Sequence, residues 1–242
     1  MQLTIAWLYG TAMNIYGDRG NVLALVQRCR WRGVEASVVP VNVGDPITPG
    51  QFDIYFWGGG QDREQIAASR DIQGVKGEAL KADVEDGAAL LAICGGYQLL
   101  GHFYHPHDGD DLPGIGLFDA WTEAGPRRFI GNVVVETDAF GELVGFENHS
   151  GLTFLAPSAQ PLGRVRVGYG NNGRDGTEGC RYRNAIGCYL HGALLPKNPV
   201  LADFLIQAAL QRRYGIGELP PLDDQLEQFA HASAVSRAAA VR

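Results

Sequence analysis

Two side chains in this sequence are placed to do acyl-transfer chemistry: a cysteine that ends one apolar run and a histidine that ends another. The run Ala88–Ile93 stops at Cys94, Gly95 and Gly96 follow, and apolar residues then resume at helical spacing. A short apolar run bounded by glycine reads as a buried strand of a parallel sheet. Strand, nucleophile, glycine turn and helix together describe a nucleophile elbow. The glycines permit the strained, close-packed backbone such a turn needs. A sulfur there sits at a helix N-terminus, where unpaired N–H groups and the helix dipole favour an anion. The plainer alternative is an ordinary buried cysteine.

A thiolate nucleophile needs a base within reach and donors for the oxyanion it creates. Of the six histidines, His102, His105 and His107 fall in a polar acidic stretch and His231 in the C-terminal tail, where solvated roles are expected. His191 follows the apolar run Ile186–Leu190 and precedes Gly192, so it leaves a strand at its C-terminal end, the edge where open α/β sheets build their sites. His149 lies in the turn-rich Gly-Phe-Glu-Asn-His-Ser-Gly stretch. Gly58, Gly59 and Gly60 close a third apolar run, Phe52–Trp57, and could turn backbone N–H groups toward an oxyanion. No Gly-Lys-Ser/Thr follows them and there is no GxGxxG, which disfavours phosphate cradling.

The elements that must position these groups alternate in type. Leu3–Tyr9, Val34–Val41, Phe52–Trp57 and Ala88–Ile93 read as strands, with helical stretches around Val22–Cys29, Asp62–Ser69 and Val75–Asp86 between them. The fold class expected is α/β: a central, mostly parallel sheet flanked by helices. His102–Pro113 reads as a loop. Short alternating runs follow at Phe129–Glu136, Leu143–Phe146, Arg164–Tyr169, Cys180–Arg183 and Ile186–Leu190, a β-rich second half extending or flanking the same sheet. Pro199–Tyr214 is an amphipathic helix, and Asp223–Val241 an Ala-rich, charged terminal helix, exposed or docked on a partner.

The totals exclude several classes. The chain of 242 residues fits one large domain, and its net charge of −7 argues against nucleic acid or anionic membrane as a bulk partner. The four cysteines show no CxxC spacing, so neither a metal site nor a disulfide framework is expected. No apolar run approaches the ~20 residues of a membrane span, and a cytoplasmic location is the expectation.

Four phrases, Phe-Trp-Gly-Gly-Gly-Gln-Asp-Arg-Glu-Gln65, Ile-Cys-Gly-Gly-Tyr-Gln98, Gly-Phe-Glu-Asn-His149 and Tyr-Leu-His-Gly192, occur in an order and spacing that resemble the class I glutamine amidotransferases of the cobyric-acid-synthase (CobB/CobQ) type. Tyr-Gly-Asp-Arg-Gly-Asn21, Gly-Tyr-Gly-Asn-Asn172 and Leu-His-Gly-Ala-Leu-Leu-Pro-Lys-Asn198 carry the likeness over most of the chain, toward the stand-alone glutaminase subunits of that branch. The resemblance implies a flavodoxin-like amidotransferase domain over residues 1–200 and a C-terminal helical extension over 201–242. It implies that Cys94 attacks the side-chain amide of L-glutamine, that His191 handles the protons, and that N–H groups near Gly59, Gly60 and Gly95 hold the oxyanion. Arg128 matches a substrate-binding position and suits the α-carboxylate of glutamine. Gln98 and His149 fall in active-site phrases. The chain itself carries no cofactor or metal. ATP and Mg²⁺ belong to an expected partner, a MurT-like Mur ligase subunit, which would use the ammonia to amidate the α-carboxyl of D-glutamate in lipid II.

One departure from the family pattern stands out. Many class I enzymes have His-Pro-Glu, whereas this chain has His191-Gly192-Ala193. Either a Cys–His dyad suffices or the orienting acid comes from elsewhere, with another polypeptide favoured. The competing readings are ammonia supply to another acceptor such as a corrinoid, a catalytically silent binding subunit, and a cysteine peptidase.

Overall fold

The computed structural model describes residues 1–15, 17–60 and 62–240; Tyr16 and Gln61, each part of a motif phrase, and the terminal Val241 and Arg242 lie outside it. Four parallel strands form its centre: β1 (Gln2–Leu8), β2 (Glu35–Val41), β3 (Ile54–Trp57) and β4 (Ala89–Ile93). Every residue of β3 and β4 is buried, as expected where helices cover both faces of a sheet and the apolar run loses its alternation. The crossovers are α1 (Arg19–Trp31), then α2 (Asp62–Asp71) and α3 (Val75–Glu85), and β4 runs into the short α4 (Gly95–Leu100).

The second half begins with β5 (Phe103–His105) and β6 (Leu112–Pro113), two short strands inside the stretch expected to be a loop. Then come β7 (Ala120–Thr137) and β8 (Gly141–Leu155), a long hairpin, followed by β9 (Gly163–Val167), β10 (Thr177–Glu178), β11 (Cys180–Tyr182) and β12 (Ala185–Cys188). Only β11 and β12 extend the first sheet, whose order is β11-β12-β4-β3-β1-β2. The others build a second sheet of their own, β10-β9-β7-β5-β6 with β8 on β7. Phe129–Glu136 and Leu143–Phe146 are thus pieces of one hairpin, interrupted by a register shift between Ala124 and Phe129.

Three helices end the chain: α5 (Leu194–Lys197), α6 (Pro199–Tyr214) and α7 (Gln225–Ala240). Proline at the first position of α6 and Gly215 at φ 70° just past its end give the start and stop that its sequence signals. Leu201, Leu205, Ile206 and Ala209 are fully buried in the same core as β3 and β4. A cut after residue 200 therefore falls within α6. The helix α7 is largely exposed and buries only Ala238, against Val134 and Val144 of the hairpin. Arg28 ties these ends together, pairing with Asp203 of α6 and with Asp224 just before α7, both at 2.7 Å. The sheet order matters for chemistry because β12 lies beside β4, with Cys188 opposite Ile93. Two strand ends are thereby side by side at the C-terminal edge of the sheet.

Candidate active site

Cys94 occupies the N-cap of α4 with φ 51° and ψ −107°, a conformation that costs a non-glycine residue about 1–3 kcal/mol. The surroundings enforce it. The Cys94 N–H donates to Cys188 O at 2.8 Å, and Gln98 N–H returns to Cys94 O at 2.9 Å. Gly96 packs so closely on Trp57 that a Cβ would lie 2.8 Å from the Trp57 carbonyl oxygen. Glycine is required there by contact, not by flexibility. The elbow read from the sequence is present, with the sulfur residue 8% exposed at its tip.

His191 follows β12 and reaches the same point. Its backbone exchanges two hydrogen bonds with Phe146 of β8, so the second sheet fixes where the imidazole stands. A Cβ on Gly59 would meet His191 Cε1 at 2.9 Å and Cys94 Cβ at 3.4 Å; the glycine lets the β3 loop close over both. On one side the imidazole faces the Cys94 sulfur, which favours its charged form. On the other, Nδ1 is 3.2 Å from Asp18 Oδ1, with both side chains fully buried. Burial alone would strip the ring of its proton. The charge and hydrogen bond of Cys94 and those of Asp18 outweigh it and raise the His191 pKa from 6.5 to about 10.

Asp18 is the residue that sequence reasoning missed. Where an acid from another polypeptide was favoured, a carboxylate of this chain faces the imidazole, from the N-cap of α1. An aspartate at that position ordinarily caps its own helix. Here it makes no such hydrogen bond, because Oδ1 faces His191 and Oδ2 accepts the Gly59 N–H at 2.9 Å. The available signal was its place in the connection from β1 to α1, at the same sheet edge that flagged His191.

The remaining candidates separate into two groups. Gln98, on α4, accepts from Gln65 Nε2 at 2.8 Å, and Gln65 in turn lies 2.9 Å from where a Gly95 Cβ would be. Gly95 opens α4, where the first N–H groups lack intrahelical acceptors. Gly60 packs on Met13, and the Gly59 N–H is already engaged by Asp18. His149 stacks on Tyr189 with ring centroids 3.6 Å apart, while its Nδ1–H donates to Gly151 O. Arg128 stands apart. It is exposed at the irregular part of β7, donating to Asn148 Oδ1 at 3.2 Å, and no hydrogen bond or ion pair joins it to Cys94 or His191. A cleft of 690 Å³ opens elsewhere, lined by Phe140, Phe204 and His231 among others, and none of its lining residues belongs to this site.

A cysteine at a strand-to-helix elbow, a protonated imidazole and a buried carboxylate form the constellation of nucleophilic acyl transfer. A family profile, "CobB/CobQ-like glutamine amidotransferase domain", matches residues 4–199. The lipid II isoglutaminyl synthase (glutamine-hydrolyzing) subunit GatD of Staphylococcus aureus (strain N315) is 42% identical over 98% of this chain and 96% of its own. The subunit of the same name from Streptococcus pneumoniae (strain ATCC BAA-255 / R6) is 40% identical over 94% and 88%. A glutamine amidotransferase crystal structure from Thermotoga maritima shares the fold with a TM-score of 0.54 at 16% identity, covering 98% of this chain and 97% of that one. The chain belongs to the CobB/CobQ-like glutamine amidotransferases.

Proposed function

We propose that this protein is the glutamine-hydrolysing subunit of an amide ligase that acts on lipid II. The observation that carries the reading is the Cys94–His191–Asp18 array at the C-terminal edge of the parallel sheet. Cys94 sulfur attacks the side-chain carbonyl carbon of L-glutamine. The oxyanion is met by N–H groups at the start of α4, Gly95 first, and by the Gly60 side of the β3 loop. His191, already carrying the proton, gives it to the departing nitrogen, and the C–N bond breaks to release ammonia and leave a thioester on Cys94. His191, now neutral, takes a proton from water, whose oxygen attacks the thioester carbon; the C–S bond breaks, releasing glutamate and returning the Cys94 sulfur anion beside the protonated imidazole. Asp18 keeps Nδ1 protonated and the ring turned toward sulfur throughout. Arg128 is the candidate for the glutamine α-carboxylate once its tether to Asn148 is exchanged for substrate.

The likeness to the two GatD subunits over nearly their full length supports the wider setting. The partner is a MurT-like Mur ligase subunit that binds ATP and Mg²⁺ and activates the α-carboxyl of D-glutamate, and the complex works in the cytoplasm. No helix among the described residues is long and apolar enough to cross a membrane. The decisive experiment combines this chain with the Mur-ligase-like protein and supplies glutamine, ATP, Mg²⁺ and lipid II. Glutamate and amidated lipid II should appear together. Glutamate without amidation would move the acceptor elsewhere, and no glutamate at all would sink the reading.

A further inference from the structure

Beneath the Cys94 elbow runs a line of side-chain hydrogen bonds to which the mechanism assigns almost no part. Gln65 Nε2 on α2 donates to Gln98 Oε1 at 2.8 Å, and Gln98 Nε2 donates to the Tyr189 hydroxyl at 3.1 Å. That hydroxyl is 2.6 Å from Thr153 Oγ1, which is 2.8 Å from Thr122 Oγ1. No member is more than 5% exposed.

With Gln98 Nε2 donating, the Tyr189 oxygen accepts and has its own proton left for Thr153 Oγ1, which carries the line on to Thr122. Burial, followed by the charge on Cys94, holds the Tyr189 hydroxyl above its ordinary range, so it keeps that proton. The Gln98 carboxamide is thereby anchored at both ends, on Gln65 and on Tyr189. The packing is built for it. A Cβ at Gly151 would fall 2.3 Å from Gln98 Nε2 and 3.2 Å from the Tyr189 hydroxyl, and the Tyr189 ring is held by the His149 imidazole stacked at 7° to it. Tyr189 also stands two residues before His191, whose N–H bonds the Tyr189 carbonyl at 3.1 Å. The residue joins the strand that delivers the base to the two carboxamides packed at the elbow.

We infer that Tyr189 is a positioning residue for the substrate: its hydroxyl anchors the Gln98 carboxamide, and through it that of Gln65, at the Cys94 elbow, so that glutamine's own carboxamide meets groups held in place. This rests on the glutaminase reading. Tyr189→Phe keeps the ring and its stacking and removes only the hydroxyl. A buried hydrogen bond is worth about 0.5–1.5 kcal/mol, so KM for glutamine in the assembled complex should rise roughly two- to twelvefold. The turnover number should stay within about twofold of the parent. Gln65→Leu should act alike from the other end, and the double variant should be no worse than the poorer single one, because both break the same line. Should Tyr189→Phe fail to fold, Thr153→Val removes only the acceptor of the tyrosine proton and should raise KM by a smaller factor. A second readout needs no turnover: the rate of Cys94 labelling by the glutamine analogue 6-diazo-5-oxo-norleucine relative to iodoacetamide. The relative rate should fall in Tyr189→Phe while iodoacetamide labelling holds. An unchanged KM and labelling ratio, a loss confined to turnover, or multiplying effects in the double variant would each overturn the inference alone. A parent protein that shows no preference for the glutamine analogue would overturn the glutaminase reading, and this inference with it.

Discussion

Two buried histidines, one on β8 and one just past β12, each face a carboxylate, and they end in opposite states. His191 lies 3.2 Å from Asp18 and His149 lies 3.8 Å from Glu147, and neither is more than 2% exposed. Desolvation is the largest influence on both rings, and alone it would leave both neutral. His149 follows that rule and falls below the ordinary histidine range, with Glu147 too weakly placed to reverse it and the His191 charge opposing it further. His191 breaks the rule because a third group, the Cys94 sulfur, faces it. A histidine and an acid in the core therefore do not make a base by themselves. The sulfur decides which of the two carries the proton that catalysis uses.

The sharpest way to break this contrast is to remove the sulfur. Cys94→Ala should abolish glutamine hydrolysis, by roughly 10⁴-fold or more, as losing a nucleophile from a concerted array does. It should also bring the His191 titration, followed by NMR of the ring, down from about 10 toward that of His149. An imidazole that still titrates near 10 without Cys94 would show that Asp18 alone holds the charge. Asp18→Asn comes next. It keeps shape but loses the charge that holds the imidazolium and turns the ring, so kcat should drop roughly 10²–10⁴-fold. Full activity in that variant, with the partner bound, would return the orienting role to another polypeptide.

How much of this was visible in the sequence follows from the range of the interactions. The Cys94 elbow was legible because everything it needs is local: a buried run, a nucleophile, two glycines and a helix. His191 was legible by the same kind of strand-end logic. Asp18 was not, since it reads as one polar residue in the connection Asn14–Asn21 and gains its role only when the β1, β3 and β12 ends converge. The second sheet was illegible for a similar reason. The hairpin β7–β8 is broken by Gly125, Pro126 and the bulge before Phe129, which cut its alternation into short pieces. Pairings such as β9 with β7 leave no trace in local periodicity at all.

Smaller effects sharpen the contrast from the His149 side. His149→Phe keeps an aromatic face for Tyr189 and should lower kcat/KM by less than about tenfold, through the packing of that ring. Its clearer signature is in stability against pH. The His191 pKa is raised in the native protein, so between 6.5 and about 10 the folded state holds a proton that the unfolded chain has released. That contribution is full below pH 6.5 and is lost as pH rises through about 10. His149 is shifted the other way, so its contribution is present above 6.5 and is lost as pH falls below that value. Urea midpoints measured from pH 5 to 10 should therefore separate the two residues. His149→Phe should flatten the acid limb and leave the alkaline limb alone, while His191→Phe should flatten the alkaline limb. If His149→Phe changed only the alkaline limb, the two rings would share one proton, and the distinction between a charged base and a neutral spacer would collapse.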